Sequence, residues 1–208
     1  MSRRTGQKLL RFDRDLGVRF VAGADEAGRG SLAGPLVTAG VLLDYERLRE
    51  HRVRPLALLN DSKQVPPALR EQLFRAVLGC AEKVSVHVFP ASVIDRDGLH
   101  RTNLRGLREA LGACQPADAC LVDGFRLGPA APPHRAVVDG DEKSAAIAAA
   151  SIVAKVTRDR YMRRADALYP QFGFASHVGY ITPGHSAVVR DRGPCEIHRR
   201  SFQALCYR

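Results

Sequence analysis

The sequence contains no CxxC pair, and its five cysteines are odd in number. It therefore favours neither a disulfide framework nor a zinc site. Long hydrophobic runs are also missing. The longest nearly uncharged stretch, Ser144 to Ala154, is far shorter than the roughly 20 residues that cross a bilayer. No apolar stretch follows the early arginines, so no secretory signal is indicated. We therefore expect a protein of the reducing cytoplasm that makes no membrane contact.

What the sequence does contain is an ordinary globular composition with a basic bias. Of its 208 residues, 45% are hydrophobic and 26% are charged, which suits one sizeable α/β domain with a small appendage. Lysine and arginine total 32 against 22 acidic residues, a net charge of +10. Such a balance favours a polyanionic partner, nucleic acid above all. The alternative is a protein from an arginine-rich proteome, and charge alone does not separate the two.

Short apolar runs predict strands, and helical spacing of apolar residues predicts helices. The predicted strands are 20–24, 36–43, 84–89, 119–122 and 135–138. The predicted helices are 67–80, 102–113, 144–168 and a short one at 186–192. Strands come first and then alternate with helices, so we expect an α/β fold with a mixed β-sheet flanked by helices. Residues 1–168 would form the main domain, and residues 169–208 a small helical and loop appendage.

Four carboxylates stand where predicted strands end or the long helix begins. Asp25 and Glu26 follow the first strand, Asp123 ends the fourth, and Asp141 precedes the helix. Each has a structural explanation as a polar strand end, an Asp-Gly turn or a helix cap. Loops at the carboxyl ends of strands also commonly hold active sites. Four acids without histidine or cysteine would suit Mg²⁺ or Mn²⁺, two of which can support phosphodiester hydrolysis. Spacing alone leaves open whether the four acids converge.

The long helix carries a polar stripe. Ser144, Ser151, Lys155 and Arg158 point in similar directions at 100° per residue, with Asp159 beside them. Its two cations could approach a phosphate backbone. The stripe could equally be the solvated face of an amphipathic helix.

Several stretches of the sequence resemble bacterial type 2 ribonuclease H (ribonuclease HII) in their order and spacing. They are AGADEAGRG (22–30), LNDSK (59–63), VDG (122–124), AASIVAKVTRD (149–159), HVGY (177–180) and HRRSF (198–202). The resemblance implies a ribonuclease H-like fold and an endonuclease that cleaves the RNA strand of RNA/DNA hybrids. It also implies cleavage 5′ of single ribonucleotides in duplex DNA, leaving a 3′-hydroxyl, as the first step of ribonucleotide excision repair.

The resemblance also implies roles for individual residues. The implied catalytic residues and ligands of two Mn²⁺ or Mg²⁺ ions are Asp25, Glu26, Asp123 and Asp141. The implied contacts of the ribonucleotide and its junction with DNA are Gly28, Arg29, Gly30 and Tyr180. The phosphate contacts that we predict are Ser62, Lys63, Lys155, Arg158, Arg199 and Arg200. Residues 1–168 would then be the catalytic domain, and residues 169–208 would complete the substrate site.

The sequence departs from the family pattern at a few places. Val178 replaces a lysine found in many relatives, and Glu142 and Lys143 follow Asp141 where a serine is frequent. His177 and His185 are proton carriers, phosphate contacts or structural residues. No clear clamp-binding motif occurs near the C-terminus. We expect a monomer without an obligate protein partner, acting on RNA/DNA hybrid and on ribonucleotide-containing duplex DNA.

Three other functions compete with this reading. The chain could be a nucleic-acid binding module without catalysis, although its acids are intact. It could be a different two-metal nuclease or recombinase on the same fold, which would cleave all-DNA duplex. The sister family ribonuclease HIII is disfavoured by Arg29 in the glycine motif and by the lack of an N-terminal substrate-binding extension.

Overall fold

Five strands form one mixed sheet, in the order β3-β2-β1-β4-β5. The computed structural model describes residues 4–50 and 54–207, so residues 1–3, 51–53 and 208 of the two predicted domains lie outside it. The strands are β1 (Phe20–Ala27), β2 (Leu36–Asp44), β3 (Lys83–Phe89), β4 (Ala119–Asp123) and β5 (Arg135–Val137). β2 is antiparallel to β1 and β3, whereas β4 is parallel to β1 and β5. The predicted mixed sheet is confirmed.

Helices cover both faces of this sheet. They are α1 (Arg4–Arg14), α2 (Tyr45–Glu50), α3 (Pro67–Cys80), α4 (Ala91–Asp97), α5 (Leu99–Ala113), α6 (Ala145–Leu168), α7 (Phe174–His177) and α8 (Pro183–Arg192). Short 3-10 turns occur at Arg54–Leu58, Gly140–Glu142, Pro170–Phe172 and Leu205–Tyr207. None of these helices is long and apolar enough to cross a membrane.

Helix α6 approaches the middle of the sheet very closely. A Cβ on Gly23 of β1 would lie 2.1 Å from the backbone carbon of Ala146, so only glycine allows this contact. The first six residues of α6 are small or aliphatic, and all are buried. Ser144 caps the helix, because its Oγ accepts the N–H of Ile147 at 3.3 Å. The start of α6, which follows Asp141, is thereby fixed against β1.

Three of the four buried clusters among the described residues surround the sheet and the end of α6. One lies between α6 and one face of the sheet, and a second lies between α5 and the other face. The third joins Leu32 and Met162 to the aromatic rings of Phe172 and Phe174 beyond the end of α6. This cluster contains residues from both sides of the predicted boundary at residue 168. The division into two domains stays a prediction.

The structure adds helices that the sequence patterns did not predict. They are α1, α2, α4 and α7. The first, α1, is rich in charge, and its fully buried apolar side chain is Leu9, so little apolar periodicity marks it. α4 and α7 span 7 and 4 residues, too few for a helical period to show. α8 begins at Pro183 rather than 186, because Thr182 caps it by accepting the N–H of His185.

The polar stripe of α6 is not a solvated face. Ser144, Ser151, Lys155 and Arg158 are all buried, Arg158 completely. Buried charges need partners, since removing a charge from water is costly. The partners of Lys155 and Arg158 therefore decide what these side chains do.

Candidate active site

The pairing of β1 with β4 brings acids from distant parts of the chain to one edge of the sheet. The two strands are parallel, and Ala24 pairs with Val122, so the residues that follow each lie side by side. Asp25 and Glu26 therefore approach Asp123. Asp141 lies in the 3-10 turn Gly140–Glu142, which is held to β4 because the N–H of Gly140 donates to Asp123 Oδ1 at 2.7 Å.

Asp25 and Glu26 leave β1 on opposite sides, as adjacent strand residues should. Asp25 is 4% exposed and lies beside the hydroxyl of Ser151 on α6, which donates to Ser62 Oγ at 3.0 Å. Glu26 lies on the α5 side, beside the side-chain amide of Asn103, whose Nδ2 and Oδ1 are buried without a hydrogen-bond partner among the described residues. The end of the strand thus presents one carboxylate to each flanking helix.

Burial dominates the electrostatics of these acids. It raises the pKa of Asp25 well above its usual range, and repulsion from Glu26 and Asp123 adds to the effect. Burial likewise raises the pKa of Glu26 and of Asp141 to about 7, and repulsion from Asp123 contributes to both. The pKa of Asp123 is raised by the same cause. Together the acids form a site of negative potential that a bound cation would relieve.

The donor set fits hard divalent cations. Carboxylate oxygens are the ligands that Mg²⁺ and Mn²⁺ prefer. Glu26 Oε2 is buried without a hydrogen-bond partner, an unsatisfied acceptor facing this group. In the part of the chain that the structure describes, no three acidic, histidine or cysteine side chains stand close enough to enclose an ion as they are.

A fifth acid, Asp61, was missed as a site residue in the sequence. It is 9% exposed, repels Asp141 and thereby raises the pKa of that carboxyl. Its own Oδ1 accepts the N–H of Lys63 at 2.9 Å. Its position within the LNDSK motif, two residues before Lys63, is the sequence feature that could have identified Asp61 as a site residue. Asp61 and Lys63 thus face the acid cluster from outside the sheet.

One surface pocket adjoins the acids and gathers most of the predicted substrate contacts. Its lining includes the predicted residues Glu26, Gly28, Arg29, Gly30, Ser62, Lys63, Asp123, Lys155 and Tyr180. Phe125 and Val138 also line it and were missed, since nothing in their sequence pattern marks them. The guanidinium of Arg29 lies 4.7 Å from the centroid of the Phe125 ring, a cation–π contact that orients it at the rim.

Lys155 and Tyr180 form the floor of this pocket. Lys155 Nζ pairs with Asp159 Oδ1 at 2.9 Å and lies 5.2 Å from the centroid of the Tyr180 ring. Asp159 is also bound by Arg70, whose Nη1 lies 3.1 Å from Oδ2. The charge of Lys155 is therefore already paired. Lys63 is exposed, and the carboxylates of Asp61, Asp141 and Asp25 attract its ammonium group.

The structure does not place Arg158, Arg199 or Arg200 as phosphate contacts in the pocket. Arg158 and Arg199 are both fully buried, and their guanidinium groups donate to backbone carbonyls. Arg200 is exposed, but its side chain lines a different hollow beside Arg190 and Tyr207. Sequence reasoning treated these arginines as surface charges, and burial removes two of them from contact with the substrate.

His185 and His198 have structural contacts. His185 Nδ1–H donates to the carbonyl of Tyr180 at 2.9 Å, and the Nε2 atoms of His185 and His198 lie 3.0 Å apart. The N–H of Cys195 donates to His198 Nδ1 at 3.0 Å. His177 stacks on His185 with ring centroids 4.3 Å apart. The histidines thus support the backbone of Tyr180 from beneath.

We predict a pH-dependent stability contribution from His198. Burial lowers its pKa from 6.5 to about 4, so between these values the unfolded chain binds a proton that the folded protein does not. Stability is lost as pH falls through this window. The destabilisation caused by His198→Asn should therefore be smaller at pH 5 than at pH 7, by about 2 kcal/mol. Urea unfolding of both proteins at the two pH values measures this, and a pH-independent difference would contradict it.

Comparison with known proteins agrees with this geometry. The family model "Ribonuclease HII" matches residues 22–205 of the chain. The chain belongs to the ribonuclease HII family. It is 47% identical over 199 residues to the ribonuclease HII of Acidothermus cellulolyticus, covering 93% of this chain and 63% of that protein. It is 42% identical over 205 residues to the ribonuclease HII of Geobacillus thermodenitrificans, covering 97% of this chain and 76% of that one.

A solved structure shows the same fold. The ribonuclease H2 of Pyrococcus horikoshii superposes with a TM-score of 0.74 at 27% identity, covering 88% of this chain and 94% of that one. The ribonuclease H-like fold expected from the sequence is confirmed. As a member of this family the chain is a ribonuclease H hydrolase, and the family's activity is endonucleolytic cleavage of the RNA strand in RNA/DNA hybrids.

Proposed function

We propose that this enzyme cleaves RNA/DNA hybrids and also cuts 5′ of single ribonucleotides in duplex DNA, by a two-metal mechanism. The observation that carries the proposal is the shared pocket: Glu26, Asp123, the Gly28–Gly30 loop and Tyr180 all line it, and the pairing of β1 with β4 holds Asp25 beside Asp123. Product strands would keep a 3′-hydroxyl, and the cut would begin ribonucleotide excision repair. The basic net charge supports a nucleic-acid duplex as the substrate.

Asp25, Glu26, Asp123 and Asp141 would hold two Mg²⁺ or Mn²⁺ ions. Such ions lower the pKa of a bound water and stabilise the negative charge that develops on the leaving oxygen. The acids orient the site at the end of β1 and β4, and α6 anchors it through Ser151 and the capped start at Ser144. Lys63 stands at the open side, where it can approach the phosphate that is cut.

Ribose recognition would come from the loop and from Tyr180. Gly30 has open space where a Cβ would stand, so a sugar can approach its backbone. A 2′-hydroxyl both donates and accepts, and it is the group that distinguishes RNA from DNA. Tyr180 would stack on the deoxyribose that follows the ribonucleotide or hydrogen-bond beside the 2′-hydroxyl, and an added hydroxyl on that deoxyribose would clash.

Cleavage of a labelled duplex with one ribonucleotide tests this function. All-DNA duplex and all-RNA/DNA hybrid serve as controls, each with Mg²⁺, with Mn²⁺ and with EDTA. We expect a metal-dependent cut only 5′ of the ribonucleotide, together with cleavage of the hybrid. Cleavage of hybrid alone would refute the role of Tyr180, and binding without any cut by folded protein would indicate a binding module.

Removing the hydroxyl of Tyr180 tests the junction. We expect Tyr180→Phe to lower kcat/KM for the single-ribonucleotide duplex about tenfold, roughly the 1.4 kcal/mol of one hydrogen bond, while hybrid cleavage changes little. The ring should still stack, so Tyr180→Ala should lose more. Steady-state kinetics on both substrates measure the ratio. Unchanged junction cleavage by Tyr180→Phe would remove the hydroxyl from the mechanism but not the ring.

The remaining features of the proposal concern the whole chain. Residues 1–168 form the catalytic domain, and residues 169–208 are the appendage that supplies Tyr180. The enzyme acts as a monomer in the cytoplasm without an obligate protein partner. Sedimentation at micromolar concentration with and without duplex tests the oligomeric state, and a dimer in either condition would contradict it.

A further inference from the structure

Arg158 connects two separate backbone segments from inside the protein, through three carbonyls. Its Nε donates to the carbonyl of Pro35 at 2.9 Å, and its Nη2 donates to that of Ala33 at 2.9 Å. Its Nη1 donates to the carbonyl of Val178 at 2.8 Å. The first two carbonyls belong to the loop after β1, and the third precedes Tyr180. One fully buried side chain on α6 thus holds both segments.

Arg199 holds the same loop from the opposite side. Its Nε donates to the carbonyl of Gly34 at 3.0 Å and its Nη1 to that of Arg29 at 3.1 Å. Its backbone N–H donates to the carbonyl of Leu32 at 2.9 Å. The side chain is 0% exposed. The carbonyl of Arg29, within the glycine motif itself, is therefore fixed by a residue 170 positions away.

The loop and the Tyr180 segment also contact each other directly. The N–H groups of Leu32 and Ala33 both donate to the carbonyl of Gly179, at 2.9 and 3.2 Å. Gly179 has φ +82°, and a Cβ there would lie 2.4 Å from the carbonyl oxygen of Ala33. The ring of Tyr180 lies 5.5 Å from the Arg158 guanidinium carbon. The two segments are therefore in direct backbone contact, with no room for a side chain between them.

Burying these two guanidinium groups costs free energy, which indicates that their role is to hold a geometry rather than to add stability. Among the residues that the structure describes, no carboxylate lies within ion-pair distance of either guanidinium. Burial lowers the pKa of both arginines, and repulsion from Arg158 lowers the pKa of Arg199 further. Apart from the rings of Tyr180 and Phe202, the groups bury charge mainly against carbonyl dipoles, which is incomplete compensation for lost hydration. Arginine suits this task, because its planar fork of donors reaches several carbonyls at once.

We propose that Arg158 and Arg199 are positioning residues that lock residues 28–35 and Tyr180 into one rigid recognition unit, and so set the selectivity for a ribonucleotide–deoxyribonucleotide junction. Neither arginine touches the substrate. The proposal rests on the proposed function of Tyr180 and the glycine loop at that junction. Buried side chains thus contribute to the selectivity for the junction, because they hold the groups that contact the substrate in a fixed geometry.

Lysine variants separate positioning from phosphate contact. Arg158→Lys and Arg199→Lys keep the positive charge, but one ammonium cannot hold the carbonyls that the fork holds. We expect the ratio of kcat/KM on the single-ribonucleotide duplex to kcat/KM on the hybrid to fall at least tenfold. Mn²⁺ affinity, measured by calorimetry, should stay within about twofold of wild type. Arg160→Lys is the matched control, since Arg160 lies on the same helix and pairs with Glu71 at the surface.

Two results would overturn the proposal. If the lysine variants cleave both substrates at wild-type rates, the several donors of the guanidinium groups are not needed for selectivity, and a positive charge is sufficient. If both rates fall equally, the arginines serve general stability. A wild-type enzyme with no junction preference would instead refute the proposed function. Hydrogen exchange would still test whether residues 28–35 and Tyr180 form one rigid unit.

Native-state hydrogen exchange on the wild-type protein needs no variant to fold. The amides of Leu32, Ala33 and Arg199 should open with one common free energy, together with that of Tyr180, which donates to His177. Exchange of Tyr180 independently of the loop amides would show that the two segments move separately and would overturn the lock.

Discussion

Replacing Asp25 by Asn should reduce cleavage on the order of a thousandfold and raise, not lower, the melting temperature of the metal-free protein. The activity loss follows from removing a ligand that would hold the cations, since three powers of ten correspond to about 4 kcal/mol of transition-state stabilisation. The gain in stability follows from burial and from repulsion by Glu26 and Asp123, which raise the pKa of Asp25. An uncharged side chain escapes both costs.

The size of this stability gain depends on pH. The folded protein holds a proton on Asp25 at pH values where the unfolded chain has released it, so the wild type loses stability as pH rises above 3.8. Asn has no such proton to hold. The advantage of Asp25→Asn in EDTA should therefore be larger at pH 8 than at pH 5. Thermal melts at both pH values, beside cleavage assays, measure the two halves of the prediction.

Asp44→Asn is the matched control. Asp44 is 3% exposed and lies at the other end of the sheet, paired with Phe20, at the start of β1. Arg19 binds it at 2.8 Å, and this hydrogen bond lowers the pKa of Asp44. Its neutralisation should lower the melting temperature and leave cleavage intact. The same substitution thus has opposite consequences at the two ends of β1. A destabilised Asp25→Asn that still turns over would refute the assignment of this acid.

Gly28→Ala is expected to be the most disruptive change in the glycine motif. Gly28 has φ +89°, which costs an alanine roughly 1–2 kcal/mol. Its Cβ would lie 1.9 Å from Arg158 Nε, so the guanidinium would be displaced from its carbonyls. Each lost hydrogen bond contributes about 1 kcal/mol, giving a total of roughly 3–5 kcal/mol. Cleavage should fall at least a hundredfold, because the recognition loop would lose its support.

Gly30→Ala separates support of the loop from access to it. Nothing lies within 4 Å of a Cβ at Gly30, so the fold should tolerate alanine with little change in melting temperature. The methyl group would still stand in the pocket, where it would obstruct the ribose. We expect a raised KM for the single-ribonucleotide duplex. Equal melting temperatures for the Gly28 and Gly30 variants would contradict the role of Arg158 beneath the loop.

Much of the fold could be predicted from local patterns. Apolar runs marked all five strands, although β1 extends to Ala27 rather than ending at residue 24. Helical spacing and Pro67 gave the bounds of α3, and the long helix was placed to within one residue. Charge-rich or very short helices such as α1 and α4 were missed, because their stability comes from tertiary contacts that leave little periodicity.

The candidate site was predicted less evenly. The four acids were identified from the motifs, but their approach depends on the parallel pairing of β1 with β4, which no local pattern encodes. Arg158 and Arg199 were expected at the surface because arginine is rarely buried. Their burial is visible only once the loop after β1 folds over α6. Asp61 and Phe125 are recognised only in the folded structure, where Asp61 lies near Asp141 and Phe125 lines the pocket.

The pairing of β1 with β4 also has a consequence for the order in which the protein acquires activity. Ala24 and Val122 are neighbours in the sheet but 98 positions apart in the chain (122 − 24). Closing so large a loop is entropically costly, and such non-local contacts form slowly. A nascent chain that has exposed only β1 to β3 holds Asp25 and Glu26 but none of their partners. We therefore expect the nuclease to be inert through more than half of its own synthesis, until β4 and the turn that carries Asp141 have joined β1.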